Sequence, residues 1–302
     1  MKQSMYPLAV LIGGACFGVL STFVKLAYGE GFELAEVSGS QFLAGTLLIW
    51  LIFLFTKKQK ISFKRFSFLV LCGVPTGLTG IFYYQSLQSL NASLAIIFLF
   101  QFVWIGTAIE FIIDRKKPGM KKLRAILLLL IGSFLATGIL SQGFNDFSLV
   151  GAGWGMLAAL SFSIFAYISS TVGKEVPPIQ RSAVFAIGGL LITFVIFPPV
   201  FLADAATVTA LLPYGLFLGL FGVTLPPLLF AIGMPHVGAG LGTILTSSEL
   251  PVALLMSVLV LQEELVPLQW LGVCIIILGI IYGNVAHKTK KDHDLIQSSK
   301  AS

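Results

Sequence analysis

Apolar residues fill most of the chain, and polar ones gather in short clusters instead of alternating with them. A helix crosses the hydrocarbon core of a bilayer in about 20 residues, at about 1.5 Å each. Apolar stretches suited to that task recur over residues 6–28, 36–56, 66–87, 92–114, 125–142, 149–172, 182–203, 208–232, 238–261 and 267–286. The runs are continuous and lack the two-residue alternation of a membrane β-barrel. Between 208 and 261 the apolar run is almost unbroken, and Pro235-His236-Val237-Gly238 is the turn expected to divide it. The pattern predicts an all-α integral membrane protein with ten transmembrane helices.

The loops sort by charge. With ten spans the termini share a side, and 18 of the 19 basic residues lie there: Lys2, five over 57–65, six over 115–124, Lys174, Arg181 and four in the tail. The opposite loops carry Glu30, Glu33, Glu36, Asp146, Asp204, Glu263 and Glu264, with no Lys or Arg. Basic loops stay on the cytoplasmic side of a membrane. The expected placement is therefore multi-pass in the cytoplasmic (cell) membrane with both termini cytoplasmic. Lys25 is the one basic residue left over. It either snorkels toward Glu30 or Glu33, or meets an anionic substrate or Glu249.

Sliding the chain by 145 residues lays the first five spans on the last five. Phe17 then meets Phe162, Leu71 meets Leu216, Gly77 meets Gly222, Thr79 meets Thr224, Leu123 meets Leu268 and Gly138 meets Gly283. The expected units are a first repeat over 1–142, a second over 149–286, and a disordered cytoplasmic tail over 287–302. Five spans is an odd number, so the two repeats enter the membrane in opposite directions. Inverted repeats are a construction of secondary transporters, whose sites lie near the midplane between the halves.

Composition narrows the class further. Apolar residues make up 57% and charged residues 11% of the chain, against about 25% charged in soluble domains. Mean hydropathy is +0.96. A soluble enzyme, a disordered scaffold and a disulfide-stapled domain are excluded. The net charge of +6 sits in membrane loops and does not imply nucleic acid. Cys16, Cys72 and Cys274 have no metal-ligand spacing and read as packing residues. The N-terminal apolar run continues past a signal-peptide length to Lys25 and reads as the first membrane helix. No Walker A, His-Glu-x-x-His or Gly-x-Ser-x-Gly motif occurs, so no enzyme activity and no cofactor are expected.

The second half carries a small-residue span from Ala231 to Glu249-Leu250-Pro251-Val252. It continues through Leu261-Gln262-Glu263-Glu264-Leu265-Val266-Pro267-Leu268-Gln269-Trp270-Leu271-Gly272. This stretch resembles the EamA-type ten-helix carriers of the drug/metabolite transporter superfamily, which have a Glu-Pro pair, a Gly-Glu pair and a Pro-x-Gln-Trp-x-Gly start to the last helix. The chain departs where Leu250 separates Glu249 from Pro251 and where Gln262 replaces the Gly. The first half, with Leu99-Phe100-Gln101-Phe102-Val103-Trp104-Ile105-Gly106, looks closer to the multidrug efflux branch. The resemblance covers nearly all of 6–286 and implies a transporter, with substrates ranging over amino acids, sugars, nucleotides and drugs.

Glu249 is the outstanding candidate residue. It is twelfth of the 24 residues of the ninth span, and a charge at the bilayer centre costs about 2.5–3.5 kcal/mol on insertion scales. Pro251 removes an N–H and frees the carbonyl of Ser247; Thr243, Thr246, Ser247 and Ser248 precede it. Two readings stand: a substrate or proton-coupling site, or a hydroxyl-bonded acid that locks helix packing. By the repeat offset Trp104 is the mate of Glu249 and Gln101 the mate of Thr246. The stripes 101/104/108 and 242/246/249/253 would then face the pseudo-two-fold axis, with Trp104 stacking on a flat or cationic ligand. The alternatives are packing for Trp104 and an interhelical bond for Gln101. In the third span Tyr83 and Tyr84, with Thr76 and Thr79 below, either line the cavity or anchor at the interface. Gly73, Gly77 and Gly80 read as close-packing positions, and Glu110 and Asp114 as local partners of Arg115 and Lys116. Pro75 and Pro226-Pro227 are expected to bend their helices.

The expected function is secondary active transport of a small molecule by alternating access. Efflux of a metabolite or drug-like compound, coupled to protons through Glu249, is the first reading. The alternatives are an uptake carrier or facilitator for amino acids or other metabolites and, outside transport, a membrane sensor or assembly protein. The partners expected are substrate, lipid bilayer and protons, and a monomer suffices because both repeats lie in one chain.

Overall fold

The structure, a computed structural model, describes residues 5–300 apart from 91, 116, 139, 141–147 and 263; for 92, 93 and 286–300 it describes the backbone alone. Lys2, Lys116, Asp146 and Glu263 thus lie outside the described residues. Among those described, nine helices are long and apolar enough to span a membrane. They are α1 (Met5–Gly29), α2 (Leu34–Leu54), α3 (Phe63–Ser89), α4 (Leu94–Asp114), α6 (Leu149–Thr171), α7 (Pro178–Ile196), α8 (Ala205–Val237), α9 (Ala239–Leu261) and α10, whose span is Pro267–Val285. The fifth position holds α5 (Met120–Ala136), shorter than the rest at 17 residues. The expected turn between the eighth and ninth spans falls at Gly238, whose φ of +79° favours a residue without a side chain.

Helix packing makes the repeat visible. The offset pairs α1 with α6, α2 with α7, α3 with α8, α4 with α9 and α5 with α10. Swapping each helix for its mate turns the α1–α8 contact into α6–α3, α2–α8 into α7–α3, and α1–α9 into α6–α4; all six contacts are present. The contacts α2–α7, α4–α9 and α5–α10 map onto themselves and are present too. The structure is therefore two inverted five-helix repeats, with α5 and α10 packed together at the periphery.

Small residues permit the closest approaches. A methyl group at Gly73 of α3 would run into the Phe185 carbonyl of α7, and one at Gly77 would lie 2.6 Å from the Gly189 carbonyl. The expected packing role holds for these two, whereas Gly80 borders a cavity.

The regular α-helical ladder of α8 is interrupted beside its prolines. Gly219–Thr224 forms a π-helical turn directly before Pro226 and Pro227, as chain bulges do when the regular ladder loses donors. Thr224 Oγ1 donates to the Gly45 carbonyl at 3.0 Å, and Ser182 Oγ to the Pro227 carbonyl at 3.1 Å. In α3, the carbonyl of Pro75 accepts from both Thr79 Oγ1 (2.7 Å) and Ser161 Oγ (2.9 Å).

Several sequence expectations need correction. Arg181 is not a loop charge: α7 starts at Pro178 and buries it in the first turn. Glu110 pairs across helices with Lys122 of α5 at 2.5 Å, and its carboxylate lies beside Gly240 at the start of α9. Asp114 also accepts from Tyr167 Oη of α6 at 2.7 Å, and its expected partner Lys116 lies outside the described residues. The helical backbone of α10 runs to Lys300; no Gly or Pro follows Gly283 to stop it. Cys16 and Cys72 are buried, and Cys274 faces outward.

Candidate functional site

Among the described residues, eight of the ten helices, all but α5 and α10, contribute to one cavity, with about 940 Å³ of non-atom space that includes open solvent. Phe17 of α1 and Glu249 of α9 stand near the middles of their spans, which places the cavity at mid-membrane depth between the repeats. Aromatic rings dominate its wall: Phe17, Phe42, Tyr83, Tyr84, Phe102, Phe162, Phe165 and Phe185. Among the described lining residues Glu249 is the one carboxyl, and none is Lys, Arg or His.

Local chain chemistry sets Glu249 where it is. Pro251 cannot donate to the Ser247 carbonyl, and Leu250 N–H takes that carbonyl instead at 3.3 Å. The span therefore breaks at Ser247 and Ser248, and a new helical segment begins at Glu249. Glu249 is the first residue of that segment, where unsatisfied N–H groups and the helix dipole favour an acidic side chain. Ser248 Oγ holds the break against α1 by donating to the Leu11 carbonyl at 2.6 Å. Among the described residues no donor reaches the Glu249 carboxylate, which borders the cavity.

Tyr83 and Tyr84 also border the cavity. Tyr84 is 3% exposed and its hydroxyl donates to Gln41 Oε1 of α2 at 2.8 Å. That bond orients the amide, and its nitrogen lies against Gly222 in the π-turn of α8, where any side chain would strike it. Thr76 and Thr79 direct their hydroxyl hydrogens to carbonyls of their own helix, which leaves oxygen lone pairs for the cavity. Thus Glu249, Tyr83 and Tyr84 are brought together, and Gln41 joins them.

The other sequence candidates lie elsewhere. Trp104 is 41% exposed and donates Nε1–H to Gln101 Oε1 at 2.8 Å; Gln101 in turn donates to the Ile97 carbonyl at 3.0 Å. Neither lines the cavity. The reason is a helix break at Phe100 and Gln101, which offsets the second half of α4 so that Ile96, Leu99 and Phe102 face inward. Thr246 and Ser247 are fully buried and donate to carbonyls one turn back, Gly242 at 2.8 Å and Thr243 at 3.2 Å. They pack within the break and do not line the cavity.

Sequence reasoning also missed Gln41 and most of the phenylalanines. One signal was available: Phe17 and Phe162, mates under the repeat offset, both line the wall.

Comparison with known proteins agrees with this architecture. The model of the EamA-like transporter family matches residues 4–138 and again 149–284. A Bacillus subtilis (strain 168) protein named "Uncharacterized transporter YwfM" is 24% identical over 303 residues, covering 96% of this chain and 97% of its own. A solved crystal structure with 14% identity superposes with a TM-score of 0.76, over 95% of this chain and 98% of that one. That likeness concerns the fold alone. With both repeats matched by the family model and ten helices in inverted halves, the chain belongs to the EamA-like transporter family and is a multi-pass membrane transporter.

Proposed function

We propose that the protein carries a small molecule across the cytoplasmic membrane by alternating access, and that it exports a metabolite or drug-like compound in exchange for protons. The observation that carries this reading is the position of Glu249, the one carboxyl among the described residues that line an aromatic cavity between two inverted repeats. An ionised carboxylate in such a wall is costly unless something neutralises it. A proton does so, and so does a cationic or hydrogen-bond-donating group on the substrate. The two compete for one side chain, and such competition is exchange. The aromatic faces around it suit a flat or cationic body. Tyr83, Tyr84 and Gln41 complete the proposed site; Trp104, Gln101, Thr246 and Ser247 are left out of it.

The repeats supply the two access states, since each half can adopt the arrangement of the other. The basic loops at the end that bears the N-terminus support a cytoplasmic location for that end and for both termini. Both halves of the site lie in one chain, so the monomer is the proposed transport unit.

The test uses the full chain in proteoliposomes with an imposed pH gradient. Candidate substrates come from a thermal-shift panel of lipophilic cations, amino acids, nucleosides and sugars; a ligand at 100 times its Kd stabilises by about 2.7 kcal/mol. Glu249→Gln should abolish pH-driven flux while its unfolding midpoint stays that of the parent. Parental pH-dependent flux in this variant would refute the coupling role. Loss of the folded protein would favour the packing role instead.

A further inference from the structure

Arg181 is among the most deeply buried side chains of the protein, 1% exposed. From the first turn of α7 it donates Nη1–H to the carbonyl of Val172, the C-cap of α6, at 2.8 Å. Its Nη2–H reaches the carbonyl of Ala231 in α8 at 2.6 Å. Nε–H has no partner. The acidic residue nearby, Glu175, is already paired with Arg65. One guanidinium thus ties three helices together at the end of the bundle that bears the N-terminus.

Those three helices floor the cavity at this end. Phe165 lies two turns before Val172 on α6, Phe185 one turn after Arg181 on α7, and Pro227 one turn before Ala231 on α8; all three line the cavity. Beyond these residues, toward this end, α6, α7 and α8 are joined through the Arg181 side chain.

The repeat exposes an asymmetry. At the offset of 145 the mates of Arg181, Val172 and Ala231 are Glu36, Ala27 and Ser86. Glu36 sits at the opposite end, and its carboxylate accepts from the Glu33 N–H at the start of its own helix at 2.8 Å. An ionised carboxylate has no hydrogen to give to a pair of carbonyls. The tie therefore exists at one end and is chemically unattainable by its mate at the other.

We propose that Arg181 is the latch of the gate at the terminus-bearing end, and that breaking its two bonds is a step in opening the cavity to that side. A buried guanidinium with an idle Nε–H has lost hydration that the open gate restores. Its bonds to the carbonyls offset part of that loss. The latch is thus specific in geometry and modest in net free energy, as a gate that reopens each cycle requires. Arg181 acts as a positioning residue and does not touch the substrate. The inference rests on the alternating-access reading, but its test needs no substrate, so the two fail separately.

The test measures alkylation in proteoliposomes of the full chain, with Cys16, Cys72 and Cys274 replaced by Ala and one reporter cysteine added. The first reporter replaces Leu69, buried and packed with the Arg181 stem around Gly173. The second replaces Leu90, buried near the opposite end of α3. A membrane-impermeant maleimide is applied from each side. Arg181→Gln should raise the Leu69 reporter's rate about tenfold or more from the terminus-bearing side, a factor that corresponds to about 1.4 kcal/mol. Arg181→Lys should fall between, because an ammonium still donates to a carbonyl. The Leu90 reporter should slow or stay level, since opening one end closes the other. An unchanged rate at Leu69, or an equal rise at both reporters, overturns the latch. If the Gln variant does not reach the membrane, the Lys variant is judged by the same two rates.

Discussion

Phe17 and Phe162 stand 145 residues apart in the chain and meet edge to face across the cavity wall, with ring centroids 5.9 Å apart. They are mates under the internal repeat, so their contact lies on the seam where the two halves of the protein meet. Phe162 also touches Phe102, at 4.8 Å, and Phe230, at 6.3 Å. The seam is thereby built from ring edges and faces, an arrangement worth about 0.5–1.5 kcal/mol per pair beyond simple burial.

Phe162→Leu keeps most of the volume and removes the aromatic face. Substrate affinity should fall by up to about tenfold, as the loss of one such ring contact implies. Trp104→Leu should leave affinity at the parental value, because that ring faces away from the cavity. Transport KM in proteoliposomes, measured for both variants side by side, checks the contrast. Equal losses would return Trp104 to the site.

Gly73→Leu tests the approach of α3 to α7. Even a methyl group at this position meets the Phe185 backbone, and backbone cannot rotate out of the way. Overpacking of this kind costs about 1–3 kcal/mol, and more in the tightest cases. The thermal midpoint in detergent should drop, whereas Gly153→Leu, at a site with no neighbour within 4 Å, should leave it in place. A Gly73 variant as stable as the parent would place the packing elsewhere.

Glu175, in the loop between α6 and α7, pairs with Arg65 at the start of α3. A backbone hydrogen bond within Glu175, and then the Arg65 guanidinium, hold its carboxyl below the ordinary value of 4.5. A carboxyl lowered by folding stabilises the native state fully above its unfolded value, and that contribution disappears as pH falls through the lower folded value. The parent should therefore exceed Glu175→Gln in thermal midpoint at pH 6, with the gap closing as pH drops below about 4.5. The pair is largely exposed, so the gap should be small and should shrink in high salt. A gap that widens toward acid would contradict the assignment.

How much of this was legible beforehand differs by residue. The spans, their alternation and the repeat could be read because apolar length and loop charge are properties of position along the chain. Glu249 stood out because a carboxyl in the middle of an apolar run needs a reason wherever its helix faces. Trp104 and Gln101 were misplaced because the helix break at Phe100 and Gln101 interrupts the regular stripe on which their placement relied. Arg181 was taken for a loop charge because its partners, two backbone carbonyls on other helices, leave no mark in the sequence.

A single physical circumstance separates the two groups. In water, a helix shows which side faces the core by its polar residues. In a bilayer the lipid is as apolar as the core, so helices that are apolar all round do not reveal their inward face. The sequence by itself therefore determined the number of crossings, the inversion of the halves and the buried acid. Only the packing of the helices decided which aromatic rings surround that acid, that Gln41 orients beside Tyr84, and that one buried arginine ties α6, α7 and α8 together.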